Sequence, residues 1–341
     1  MKAKNSFDEV RLLLAFIVLF AHTRELSDVK ELAGLLGVFD SDFAVKGFFA
    51  ISGYLVTKSY YSSKNTAQYF EKRIRRIVPA YLAVIGYCLL VGMVCSSWTI
   101  GEFLLSRQTL AYVTANLAFL NFIEPNLPGV FENNSFQAMN GSLWTIKIEL
   151  MLYCTVPLIA LGYAHFGKMV TFIALFFLSV TWYSIFRHGV DDPLSGMIAR
   201  QFPGQMMFFA LGSVLGFVTF TNPLRVGALA VGGAYLIFKQ QLPAEWAEYF
   251  NMLVYPVFMI ALAQLSVLNV GVGRIGDLSY GVYLFHFPTI QLMTHFGVYE
   301  ANPYFGLILG TLMTMVLALM CWHLVEKRFL RRSSHYLRAT I

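Results

Sequence analysis

The chain has 341 residues, of which 57% are hydrophobic and 13% charged, about half the charged fraction of an ordinary soluble protein. With a mean hydropathy of +0.61 it reads as an all-α polytopic membrane protein: its apolar residues come in blocks of about 20, the length that crosses a bilayer core as a helix, and not in the alternating segments of about ten that build a β-barrel. The formal net charge of +6 does not point to nucleic acid, because the basic residues cluster at helix ends, where membrane topology places them.

In chain order the sequence predicts ten spans, over residues 8–25, 42–62, 77–96, 143–163, 168–187, 201–220, 225–240, 247–267, 276–296 and 304–325. Residues 103–122 are moderately apolar but interrupted by Arg107, Gln108 and Asn116, which suits an interfacial or re-entrant helix or an eleventh span. Residues 123–142 are rich in Asn, Pro and Gly and are expected to form an exposed loop. Lys2 and Lys4, then Lys58, Lys64, Lys72, Arg73, Arg75 and Arg76, then Lys327, Arg328, Arg331, Arg332 and Arg338 fall on one side of this scheme, with acidic residues such as Asp28, Glu31, Glu124 and Glu245 on the other. An even number of spans puts both termini in the cytoplasm, as this bias requires. The expectation is one membrane domain over residues 1–341 with no appended soluble domain. The four cysteines, Cys88, Cys95, Cys154 and Cys321, lie in apolar stretches without metal-ligand spacing; they are expected to be buried structural thiols, and no metal is implied.

The informative residues are those that lipid does not tolerate. Arg11 and His22 share the first span; eleven residues are three turns, so both project from one side, about 16 Å apart along the axis. His22 suits either an interfacial helix cap or a base deep in the membrane. Glu149, in "SLWTIKIELMLY", lies about two turns into the fourth span; a structural pair with Lys147 and a carboxylate that orients a histidine are the two readings. In "KRIRRIVPAY" Arg73 and Arg76 are one turn apart on one face, a spacing that suits a multiply charged phosphate and equally an anionic lipid headgroup. His286 sits mid-span in "LSYGVYLFHFP" above a polar stripe of Ser279, Tyr280 and Tyr283; a histidine hydrogen-bonded between helices is the plainer reading. Together these groups outline a cavity that begins at arginines on the cytoplasmic side and ends in a histidine and a glutamate. That suits an enzyme with a phosphorylated cytosolic donor, and also a proton-coupled transporter or exporter of a sugar-lipid or acyl compound.

The same residues carry a resemblance. "FDEVRLLLAFIVLFAH", with Arg11 and His22, is similar to the opening of the membrane acyltransferase family 3, bacterial O-acyltransferases that modify surface sugars. "FFAISGYLVTKS", "RIRRIVPAY", "SLWTIKIELMLY", "IGDLSYGVYLFHFP" and "HLVEKRFLR" resemble that family's further signatures, in the same order, from residue 7 to about 331. Leu12 stands where the family often has glycine.

The resemblance implies a multi-pass protein of the bacterial inner membrane that takes an acetyl group from acetyl-CoA to a carbohydrate hydroxyl. O-antigen or another lipid-linked cell-surface polysaccharide is the leading acceptor, and a homo-oligomer is compatible. It makes His22 the catalytic base and Arg73 and Arg76 donor-binding residues, with Arg75 and Arg11 beside them. Glu149 is expected to hold His22 in one tautomer. Ser52, Ser142, Trp144 and Tyr153 are the candidate oxyanion donors, with Tyr283 and His286 in support.

Overall fold

The computed structural model describes residues 5–331, and every described element is helical. Long helices stand where each of the ten apolar blocks stood: α1 Phe7–Ser27, α2 Ser41–Tyr61, α3 Thr66–Cys95, α4 Trp144–His165, α5 Lys168–Ser184, α6 Phe202–Leu215, α7 Asn222–Phe238, α8 Ala244–Ala263, α9 Leu278–His295 and α10 Pro303–Cys321. Among the described residues five regions are long and apolar enough to cross a membrane, namely Thr66–Cys95, Gly141–His165, Lys168–Gly189, Ala244–Ala263 and Pro303–Phe329. The other long helices fall outside that measure for physical reasons. α6 and α7 have 14 and 17 residues, while α1, α2 and α9 carry the charged, histidine and hydroxyl side chains singled out above. The chain is a multi-pass membrane protein; Lys2, Lys4, Arg332 and Arg338 lie outside the described residues. Pro79, Pro157, Pro256 and Pro288 sit inside α3, α4, α8 and α9, as helices among other helices in lipid tolerate.

Two compact units form from discontinuous sequence. The first comprises the described part of Met1–Val10 with Val45–Phe70 and Ile148–Val270. Within it α6 packs on α5 and α8, and α7 packs on α8. Lipid gives apolar helix faces little net drive to associate, so close backbone approach and interhelical hydroxyl bonds matter more. Both are present. A Cβ added at Gly53 on α2 would lie 2.1 Å from the Phe209 carbonyl oxygen, and one at Gly212 on α6 would lie 2.0 Å from that of Ala50. Thr57 donates to Ser213 at 2.8 Å, and Tyr163 meets the same hydroxyl at 2.9 Å.

The second unit comprises Arg11–Ala44, Glu71–Lys147 and the described part of Gly271–Ile341. α9 packs along α10, where a Cβ at Gly281 would sit 2.9 Å from Ala318. Leu26, Leu32, Leu36, Phe287, Ile290, Met293 and Tyr299 close one core. Residues 103–122 hold the end of a six-residue helix, Ile100–Leu105, and an eleven-residue one, Arg107–Leu117. Neither reaches across a bilayer core of about 30 Å at 1.5 Å per residue, so this stretch is not an eleventh span.

Two expectations are corrected. Residues 123–142 are not simply exposed: Leu127, Val130, Phe131, Asn134 and Ala138–Asn140 are buried. Buried polar groups need partners, and side-chain amides link this stretch to α9. Gln291 donates to the carbonyls of Phe136 and Ala138, Asn134 donates to Gln291 at 3.0 Å, and Asn140 donates to the Leu284 carbonyl at 3.0 Å. Cys154 is exposed on α4, whereas Cys88, Cys95 and Cys321 are buried.

The α2–α6 crossing yields a paired prediction. Gly212→Ala should destabilise the detergent-solubilised protein by about 1–3 kcal/mol through overpacking. Gly227→Ala on α7, where an added Cβ meets nothing within 4 Å, should be neutral or stabilise by up to about 1 kcal/mol through helix propensity. Thermal unfolding followed by size exclusion tests the pair, and equal behaviour of the two variants would contradict it.

Candidate active site

α1 presents Arg11 and His22 from one side, and α9 begins at its N-cap Asp277 and carries His286. The structure joins these two helices at two points. Arg11 Nη1 donates to Asp277 Oδ2 at 2.6 Å. Further along, the rings of His22 and His286 lie 8° from parallel, with Nδ1 of His22 2.7 Å from Nε2 of His286. Eleven residues separate the α1 members and nine the α9 members, about 16 and 14 Å along the axes. The helices therefore run parallel, with their register set at both contacts.

His22 is half-buried and His286 is fully buried. The edge of Phe287 meets His22 at 5.3 Å between ring centroids. Nδ1 of His286 lies 3.2 Å from the Val282 carbonyl oxygen. One turn earlier on α9, Tyr283 shares a hydrogen bond with Thr145 at 2.6 Å and donates to the Ser142 carbonyl at 3.3 Å. The Ser142 hydroxyl donates to Asn140 at 2.7 Å. Trp144, which opens α4, is half-buried. The orienting contact to Nδ1 of His22 is thus made by an imidazole, where a carboxylate was expected.

The arginine end is a buried ion cluster. Asp277 accepts from both Arg11 and Arg76, and Arg76 also donates to Glu326. The side chains of Asp277 and Glu326 are 1% and 2% exposed, those of Arg11 and Arg76 18% and 13%. Ser279 donates to the other oxygen of Asp277, and the Arg76 guanidinium lies over the Tyr280 ring at 5.2 Å. The two guanidiniums and the two carboxylates pair with one another, the condition under which buried ions are tolerated. Arg11 and Arg76, expected to face a ligand phosphate, therefore already hold carboxylates. Arg75 is exposed, donating to Glu71 at 2.8 Å and to the Phe329 carbonyl at 3.1 Å, while Arg73 is half-buried.

In the first unit Glu149 accepts from Ser52 at 3.2 Å and from Tyr153. Two hydroxyl donors offset part of the cost of a carboxylate at this depth. Lys147 lies over the Phe122 ring at 4.3 Å. Asp277 and Glu326 were missed as site residues, although both stand inside motifs noted in the sequence. A carboxylate at the edge of an apolar block was the available signal; its arginine partner, 201 or more residues away, gives none. Among the described residues no group of three or more His, Cys, Asp and Glu side chains is placed to hold a metal ion.

A family model described as an acyltransferase domain matches residues 4–323. Among curated proteins, an O-acetyl transferase of Shigella phage Sf6 is 27% identical, covering 98% of this chain and 98% of its own length. Nodulation protein 10 of Rhizobium leguminosarum bv. viciae is 24% identical, covering 95% and 92%. The O-acetyltransferase OatA of Staphylococcus aureus is 22% identical over 83% of this chain and 51% of its own length, so the chain spans about half of that relative. No solved structure matches.

The ion cluster predicts a graded response. Asp277→Ala leaves two half-buried guanidiniums short of a counter-charge and should cost up to about 3–5 kcal/mol. Arg75→Ala, at an exposed pair, should cost about 0–1 kcal/mol. Thermal unfolding of both variants in the same detergent measures the difference; an Asp277→Ala protein as stable as the Arg75→Ala protein would refute the cluster's structural role.

Proposed function

Since the chain belongs to the acyltransferase family whose model covers residues 4–323, and is an acyltransferase, we propose that it moves an acetyl group from acetyl-CoA to a carbohydrate hydroxyl, with His22 as general base. The observation that carries this reading is the ring of His22: half-buried, at membrane depth on α1, with its Nδ1 held 2.7 Å from Nε2 of His286 and its other nitrogen left for chemistry. Two relatives named as O-acetyl transferases support oxygen as the acceptor atom. O-antigen or another lipid-linked surface polysaccharide is the acceptor we favour, with the protein in the bacterial inner membrane and both termini cytoplasmic.

The donor's phosphates dock at the arginine end of α1 and α3. Arg75 is exposed there and Arg73 is half-buried. Arg11 and Arg76 reach a phosphate only in competition with Asp277 and Glu326. The thioester then reaches the depth of His22, about 16 Å along α1. The acceptor hydroxyl gives its proton to His22 as its oxygen attacks the thioester carbonyl. The tetrahedral oxyanion collapses, the carbon–sulfur bond breaks, and the thiolate takes the proton. The hydroxyls of Ser52, Ser142 and Tyr153 already donate elsewhere, so we assign the Trp144 indole to the oxyanion. Glu149 is kept as the second acid–base candidate.

Mass spectrometry of envelope polysaccharide tests the reading, comparing cells with wild-type protein, His22→Ala and none. One acetyl mass on a sugar, reduced by about 10²–10⁴ in rate with His22→Ala, is the expected result. A His22→Ala protein that acetylates at the wild-type rate would remove His22 as the base.

A further inference from the structure

The hydrogen bonds around the two histidines have a direction that the positions of the heavy atoms decide. Nδ1 of His286 lies 3.2 Å from the Val282 carbonyl oxygen. A carbonyl oxygen only accepts, so Nδ1 of His286 carries a hydrogen. The ring is fully buried, where an uncharged imidazole costs least. In the uncharged ring Nε2 is then a lone pair. That lone pair faces Nδ1 of His22 at 2.7 Å. Two lone pairs, or two N–H groups, repel at this distance, so Nδ1 of His22 is the donor. In the uncharged ring its Nε2 is then bare, and His22 is the less buried of the two residues.

We propose that His286 is the positioning residue of the reaction: anchored on its own helix, it fixes the tautomer and ring plane of His22 and presents Nε2 of His22 to the acceptor hydroxyl as the base. This rests on the reading of His22 given above. The chain runs from the Val282 carbonyl through His286 to His22, and the Arg11–Asp277 bond three turns away on α1 holds the two helices in the register it requires. When the acceptor O–H bond breaks, its proton goes to Nε2 of His22. The new oxygen–carbon bond forms at the thioester carbonyl, the carbon–sulfur bond breaks, and the proton passes to the departing thiolate. The Nδ1–H···Nε2 bond persists throughout, so the transient positive charge on His22 is stabilised by the lone pair of His286. An uncharged imidazole suits this place better than a carboxylate, because it adds no permanent ion to an apolar region. Orienting partners of this kind are as decisive for a histidine's tautomer as the histidine is for the chemistry.

The test combines a spectroscopic and a kinetic readout. Protein labelled with ¹⁵N-histidine is placed in lipid bilayers and its ring nitrogens are observed by solid-state NMR, with His22→Ala and His286→Gln used for assignment. The wild-type protein should show Nδ1 of His22 protonated and Nε2 bare. In the cell assay, His286→Phe keeps the ring volume but offers no acceptor, and should lower acetylation by about 100-fold, the low end of a general base's contribution, with acetyl-CoA affinity by calorimetry unchanged. His286→Gln places a carbonyl oxygen where Nε2 was and should retain most of the activity. A hydrogen on Nε2 of His22 in the wild-type protein overturns the proposal. So does wild-type acetylation by His286→Phe, or a loss as deep with His286→Gln as with His286→Phe. If His286→Phe does not accumulate in the membrane, the wild-type spectrum and His286→Gln decide. Wild-type acetylation by His22→Ala would instead refute the base itself, and is distinguishable because the tautomer is read independently of activity.

Discussion

Asp277 is a carboxylate with almost no exposure that accepts from two guanidiniums, one on α1 and one on α3. An ion taken out of water is costly unless it is paired, and in lipid a mispaired one has nowhere to go. Helix placement around Asp277 is therefore not free. α1 and α3 must deliver Arg11 and Arg76 to it, and Glu326, just beyond α10, must deliver the second counter-charge to Arg76. Four segments far apart in sequence are tied at one end of the second unit by this balance of two charges against two.

The histidine pair depends on that tie. α1 and α9 are parallel helices held at the Arg11–Asp277 contact and again at His22–His286. A single contact would let one helix rotate or slide against the other; two contacts separated by about 15 Å along the axis do not. The base proposed above has to stand within hydrogen-bond reach of the proton it takes, and for it rigidity at the ion cluster becomes precision at the ring. The same cluster sets a limit on the donor site proposed above, because charges that hold α1 and α3 in place are not free to hold a phosphate.

Elsewhere the molecule uses the means that lipid leaves available. Glycines bring α2 and α6 to backbone contact, a serine hydroxyl on α6 serves both α2 and α4, and amide side chains tie the long connection before α4 to α9. That connection is a packed structural part beside α9, pinned by Gln291 and Asn140. Its Asn and Pro content marked a break in helix and said nothing about burial.

The sequence by itself determined the class of the protein, the positions of the long helices among the described residues, the grouping of Arg11 with His22 on one side of α1, and the family. The first three follow from composition and from a period of 3.6 residues, and the family from a resemblance carried by short motifs in order; all of these are local properties of the chain. It also singled out His286 as a histidine bonded between helices, without its partner. Only the tertiary structure decided that His22 meets His286, that Arg11 and Arg76 are neutralised by Asp277 and Glu326, and that Glu149 accepts from Ser52 and Tyr153. Helix periodicity says which way a side chain points but not what stands opposite, and the partners of His22 and Arg11 lie 264 and 266 residues away. Their choice is made by packing and by the cost of leaving a polar group alone in an apolar medium, and neither is written at any one position of the chain.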